Sequence, residues 1–255
     1  MHKMNIKREK ILNLILPILT AVVLVVVWAV TALKLDNEYI LPTISQTFSE
    51  FFALFKSAEF YRSLGGTLVR SLVAFLISFF SAFILVVLSI KVKGLKSAIA
   101  PIISIARALP TIAVVLVLLL WTNSKIAPVI VTMLVVFPTL YTHLESAFLS
   151  LDKTVSEAGR VDGADEKNVL FRIELPCIMP SVYSAIGSGI SLNFKLMVAA
   201  EVISQTATSL GYMLNTSKVY FEIARMFAVV CVAVILGVII ESVFNHLSRK
   251  SAEWK

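Results

Sequence analysis

Charge is scarce in this 255-residue chain: Asp, Glu, Lys and Arg make up 15% of it, against about 25% in an ordinary soluble domain. With 58% hydrophobic residues, the chain is neither a solvated globular enzyme nor a disordered polymer. Cysteine is nearly absent. Cys177 and Cys231 lie far apart in apolar surroundings, which excludes a disulfide scaffold and a cysteine metal site; both read as small buried hydrophobes. His2, His143 and His246 form no metal set, and no nucleophile–base arrangement is visible. None of the nine glycines belongs to a G-x-x-x-x-G-K-[ST] phosphate loop. The chain reads as a non-enzyme by itself, with no metal and no cofactor of its own.

Long apolar runs dominate instead. A spanning helix needs about 20 mostly apolar residues. Six segments qualify: Ile11–Leu33, Leu64–Ile90, Leu95–Trp121, Lys125–Phe148, Ile178–Ser204 and Ile223–Leu247. The expected fold is an all-α integral membrane protein with six transmembrane helices. The first run follows a basic segment (Lys3, Lys7, Arg8, Lys10), as in a signal peptide, but its apolar core is too long and no small-residue cleavage site follows it. It reads as a retained helix.

The net charge of +7 sits between these runs, where it reports membrane orientation and not nucleic-acid binding. With the N-terminus inside, 14 Lys and Arg fall on the cytoplasmic side, 6 on the opposite side and 3 (Arg70, Arg107, Lys195) within the runs. The bias and the even span count put both termini in the cytoplasm. Residues 1–63 form the first helix and an external amphipathic segment, 64–247 the main transmembrane domain and 248–255 a cytoplasmic tail. Within the external Thr43–Arg62 stretch, Phe48, Phe51, Phe52 and Phe55 recur at helical spacing, as in a short helix lying on the outer interface.

The cytoplasmic loop Leu149–Cys177 is too polar to span. Thr154 and Glu157 fit a capping box that starts a helix near Val155. Gly163 suits the left-handed residue that stops it. Asp165 can cap a second helix carrying Val169, Leu170 and Ile173 on one face, and Pro176 marks the turn into the fifth span. Such a helix–turn–helix is too small for a core of its own, so it needs lipid headgroups or a partner protein to dock against.

At these residues a family resemblance becomes specific. Glu157-Ala158-Gly159, three residues, Gly163, nine residues, Ile173-x-Leu175-Pro176 resembles the EAA loop of bacterial ABC importer permeases. The departure is Gly159, where that pattern has a second Ala; Gly inside a helix costs about 1 kcal/mol relative to Ala. Arg107-Ala-Leu-Pro110 with the apolar run to Trp121, Ser124 to Pro128, Phe137-Pro138, Ala199-Ala-Glu201 and Leu41-Pro42 are similar to the nitrate/sulfonate/taurine branch. The resemblance implies a cytoplasmic coupling helix between the fourth and fifth spans. There Glu157, Ala158, Gly159, Gly163, Ile173, Leu175 and Pro176 would engage a separate ATPase subunit that carries the ATP and Mg. It also implies a second permease subunit, usually an identical chain, an external solute-binding protein, and a place in the bacterial inner membrane. The solute would be nitrate, a sulfonate, taurine, bicarbonate or a thiamine precursor. The rival reading is a secondary carrier or channel working without ATP. It leaves the capped loop without a purpose, and no inverted repeat supports it.

Ionisable residues inside spans are candidate functional sites. Arg70, Glu145 and Glu241 lie near span ends and can reach an interface by snorkelling. Arg107 stands next to Pro110; if Pro101 and Pro110 break the third run, Leu95–Arg107 becomes an interfacial elbow with Arg107 as a gate or anchor. Lys195 and Glu201 are the substrate-path candidates. Six residues apart, they are turned by about 240° on a helix, so they do not share a face. Lys195 can meet an anion in the pathway or a carboxylate on another helix. In the fifth span, Ser184 with Ser188 and Ala185 with Gly189 are small-xxx-small pairs, suited either to a second copy or to a helix of the same chain.

Overall fold

The structure, a computed structural model, describes the backbone of residues 2–252 and the side chains of 15–250 apart from Lys153, Ser156 and Ala158. Every regular element in it is helical: α1 (His2–Leu35), α2 (Ile44–Leu54), α3 (Ala58–Lys91), α4 (Leu95–Ala108), α5 (Thr111–Trp121), α6 (Ala127–Leu149), α7 (Lys153–Val161), α8 (Glu166–Asn168), a π segment (Val169–Glu174), α9 (Leu175–Ser204), α10 (Leu210–Val219) and α11 (Ile223–Ala252). Among the described residues, five helices are long and apolar enough to cross a membrane.

The sixth crossing departs from the expected straight run Leu95–Trp121. It is two helices, α4 and α5, bent by 94°. Leu109 is extended (φ −66°, ψ 127°), because the Pro110 ring disfavours a helical conformation at the residue before it. Pro101 does not end α4. The break therefore falls at the second of the two prolines and leaves Arg107 in the last turn of α4.

The chain packs as two compact units, residues 1–57 with 216–231, and 58–215 with 232–255. In the first, Trp28 meets Phe227 at a ring-centroid distance of 5.7 Å and its indole N–H donates to the Pro42 carbonyl (3.0 Å). The amphipathic element is α2, shorter than Thr43–Arg62 because residues 58–62 already belong to α3. Thr43 starts α2 with a capping box: its hydroxyl accepts from Gln46 N–H (3.3 Å) while Gln46 Oε1 accepts from Thr43 N–H (2.9 Å). Phe48 and Phe52 stand exposed on it.

In the second unit α3, α6 and α9 pack together. Ala82, Val86, Leu140 and Leu144 have no exposed surface. Gly189 lets the helices close up: a Cβ there would sit 2.6 Å from Leu140 Cδ2 and 3.3 Å from Phe75 Cε2. Ala185 and Gly189 thus serve contacts within the chain, whereas Ser184 and Ser188 stay exposed. The expected turn at Pro176 is absent. Residues 166–204 form one continuous helical stretch of 39 residues; Pro176 follows directly on the π segment Val169–Glu174, whose wider turns take up a residue that lacks an N–H.

Candidate functional site

Two places gather polar chemistry. The first is the loop between α6 and α9. Asp152, not Thr154, caps α7: its carboxylate accepts from Thr154 N–H (3.0 Å) and its carbonyl from Val155 N–H (3.1 Å). The helix accordingly starts before the expected Val155, since an ionised carboxylate is the stronger acceptor. Gly163 has φ +83°. Around it Ala164 N–H reaches Gly159 O and Gly163 N–H reaches Arg160 O, both at 3.1 Å, the two bonds of a Schellman stop. Asp165 then caps α8 through Asn168 N–H (2.8 Å). Arg160 Nε donates to Glu166 Oε1 (2.8 Å), closing the two short helices on each other. That hydrogen bond and the charge behind it hold the Glu166 carboxyl below its ordinary range and push Arg160 up. Hydrogen bonds from Thr154 hold Asp152 down.

Gly159 faces the π segment. A Cβ there would overlap Ile173 Cδ1 and lie 3.7 Å from Val169 Cγ2, so the glycine that weakens α7 lets it seat closely on the rod. Val169 and Leu170 are buried beneath; Ile173 and Leu175 are half-buried, and Pro176 is exposed. Glu157 is exposed and borders a small pocket with Arg160, Glu174 and Phe148. Val161, at the end of α7, is 86% exposed. The side chain of Ala158 lies outside the described residues.

The second place is the polar set within the spans. Glu201 has no exposed surface. Thr67 donates to its Oε2 (2.8 Å), and Arg70 pairs with Oε1 (2.7 Å). Arg70 also donates to the Thr208 carbonyl (3.1 Å). Arg70 thus turns inward instead of reaching an interface, and Glu201 is buried against Thr67 and Arg70. Glu145 pairs with Lys96 (3.4 Å) and accepts from the Tyr141 hydroxyl (3.2 Å), forming one wall of a 560 Å³ cleft whose other wall carries Ser104 and exposed Arg107. Lys195 is exposed on a face of α9 shared with Ser184, Ser188 and Ala199, away from Glu201. Asn193, whose facing the sequence leaves open, donates to the carbonyl and hydroxyl of Ser71 (both 2.7 Å). The sequence gives no signal for one further contact: the Ser191 hydroxyl donates to Glu241 Oε2 (3.2 Å), 50 residues on.

Residues 74–253 match the family model described as binding-protein-dependent transport system inner membrane component. The chain belongs to that family. It is a multi-pass inner-membrane permease of an ABC importer. The permease is 24% identical to the taurine transport system permease protein of Escherichia coli over 92% of its own length and 87% of that protein. It is 22% identical to the formylaminopyrimidine transport permease protein of Halalkalibacterium halodurans over 94% and 95%. Among solved structures, a bacterial alginate ABC transporter bound to its periplasmic protein has a chain matching at a TM-score of 0.67, 18% identity and 96% coverage of both chains. An inward-facing methionine ABC transporter matches at 0.64 and 18%, covering 76% of the permease and 96% of that chain.

Proposed function

We propose that the permease carries a small solute of the sulfonate, taurine, nitrate, bicarbonate or thiamine-precursor class. Relatives named for taurine, aliphatic sulfonates and formylaminopyrimidine support the sulfonate, taurine and thiamine-precursor part of this range. An external binding protein delivers the solute, docking on the outer segments Thr43–Arg62 and Gln205–Glu222. Two copies form the pathway, with both termini cytoplasmic, and ATP with Mg binds on separate ATPase subunits. The observation that carries the reading is the lever. Short α7 is capped at Asp152, stopped at Gly163 and seated on a 39-residue rod, yet leaves apolar Val161 86% exposed. A nine-residue helix is too short to be stable alone in water, and its Glu157-Ala158-Gly159, x3, Gly163 spacing resembles the loop by which such permeases engage an ATPase.

In this reading Glu157, Ala158, Gly159 and Gly163 enter the ATPase, and Ile173, Leu175 and Pro176 pass its motion into α9. Pumping needs such a link between an energy source and a two-state pore. Lys195 meets the anionic group of the solute, Arg107 stands as a gate at the inner mouth, and Glu201 anchors the outer turn. The test is co-purification with the ATPase encoded beside the permease. Wild-type chain brings it down. Val161→Asp and Glu157→Lys insert normally, lose the ATPase and abolish uptake. A chain that transports alone, or a Glu157→Lys variant with wild-type transport, overturns the reading.

A further inference from the structure

Helices α9 and α11 run antiparallel and meet along four rungs. Ser248 donates to the Pro180 carbonyl (2.8 Å). A Cβ on Gly187 would sit 2.6 Å from Phe244 Cβ. Ser191 donates to Glu241 (3.2 Å), and a Cβ on Gly237 would lie 3.7 Å from Lys195 Cε. The first rung is a hydrogen bond and the second a packing contact. The last two place a cation and an anion in one seam, a helical turn apart.

The two charges do not neutralise each other. Among the described residues no ion pair within 4.0 Å involves Lys195 or Glu241, and the Ser191 hydroxyl is a neutral partner. Both side chains are exposed on the permease surface. An ionised side chain that faces lipid is costly, most of all for Lys195 in the middle of its span. A fold that needed only to hide the charges would let two residues one turn apart pair, as Arg70 and Glu201 do. A bare anion would satisfy Lys195 and be repelled by Glu241; a bare cation would meet the reverse.

We propose that Lys195 and Glu241 form a two-pole solute site for a small zwitterion. The anionic pole lies on Lys195 and the cationic pole on Glu241, about 6 Å apart along the helix axis. This deepens the preceding section and rests on its placement of Lys195 in the pathway.

The test uses permease–ATPase complex in detergent without nucleotide, in a background with Cys177→Ala and Cys231→Ala. Single reporters Ser188→Cys and Ala199→Cys sit on the exposed face of α9, leaving both charges intact. Water-borne methanethiosulfonates label them if the face lines an aqueous path. 2-Aminoethanesulfonate or glycine betaine slows labelling by about threefold or more, while ethanesulfonate, the same size without the amine, does not. Adding Glu241→Gln, checked for unchanged assembly with the ATPase, removes protection by the zwitterions and allows it by ethanesulfonate. Reporters that label normally but are protected equally by ethanesulfonate, are protected by neither zwitterion, or are indifferent to Glu241→Gln, overturn the two-pole site. Reporters closed to water overturn the pathway reading beneath it.

Discussion

Arg70 and Glu201 are 131 residues apart in sequence and 2.7 Å apart in space. Their pairing binds α3 to the C-terminal end of α9. The turn that follows carries two non-glycine residues in left-handed conformations, Gln205 (φ 51°) and Thr208 (φ 56°), each a strained state costing about 1–3 kcal/mol. The surroundings hold that turn in place. Arg70 grips the Thr208 carbonyl, Thr67 accepts from Leu210 N–H (2.9 Å), and the Thr206 hydroxyl donates to the Ser124 carbonyl.

Removing the carboxylate should cost more than the pair contributes, because a guanidinium only 18% exposed is left without its anion. Glu201→Ala is expected to destabilise the permease by about 3–5 kcal/mol, and Glu201→Gln by less. Thermal unfolding of the purified protein checks this; a melting point equal to wild type would refute the anchoring role.

Neighbouring glycines in α3 should respond oppositely. A Cβ on Gly66 would collide with the Thr208 carbonyl oxygen, whereas one on Gly65 meets nothing within 4 Å. Gly66→Ala should lower stability by about 1–3 kcal/mol. Gly65→Ala should be neutral or raise it by up to about 1 kcal/mol, through helix propensity alone. The melting order of the two variants and wild type is the readout.

Gly163→Val should damage coupling and spare the bundle. At φ +83° a β-branched residue is strained by about 1–2 kcal/mol, so the stop of α7 should loosen while the core around Leu140 keeps its melting point. The measurement is ATPase capture alongside thermal unfolding. Full capture with the valine in place would show that the stop does not position the lever.

The loop should also answer to acid. Arg160 holds Glu166 below its ordinary 4.5, and Thr154 holds Asp152 below its ordinary 3.8. A lowered carboxyl pKa stabilises the folded loop fully above the ordinary value, and the contribution is lost as pH falls through the lowered one. Amide exchange in residues 152–168, corrected for intrinsic rate, should be flat from about pH 8 to 5 and rise below about pH 4. Glu166→Gln should remove much of that rise. A step near neutrality would contradict the assignment.

The spans were legible because hydropathy over some twenty residues is a local property, and Gly163 and Asp165 because caps are read within a few residues. The bend after Leu109 announced itself through Pro110, although the rest of that run reads as one uninterrupted span. Asp152 was hidden by Thr154, which offers an equally good cap on paper; only backbone geometry decides between them. Pro176 misled because a proline that follows π turns inside a helix and a proline in a loop look alike in sequence. Arg70 and Glu241 were invisible as partners. Nothing local tells Arg70 that Glu201 lies opposite, or Glu241 that Ser191 does.

The unbroken rod from residue 166 to 204 is about 58 Å long at the usual rise per residue, and its far end is bolted to α3 by Arg70. A beam pinned at one end cannot slide along its axis; it can only swing. In the proposed reading, a push at the α7 seat would arrive as a change of tilt, small near Arg70 and largest at the end of the rod next to α7. The wider π turns of Val169–Glu174, at the end next to α7, are the natural place for any residual give.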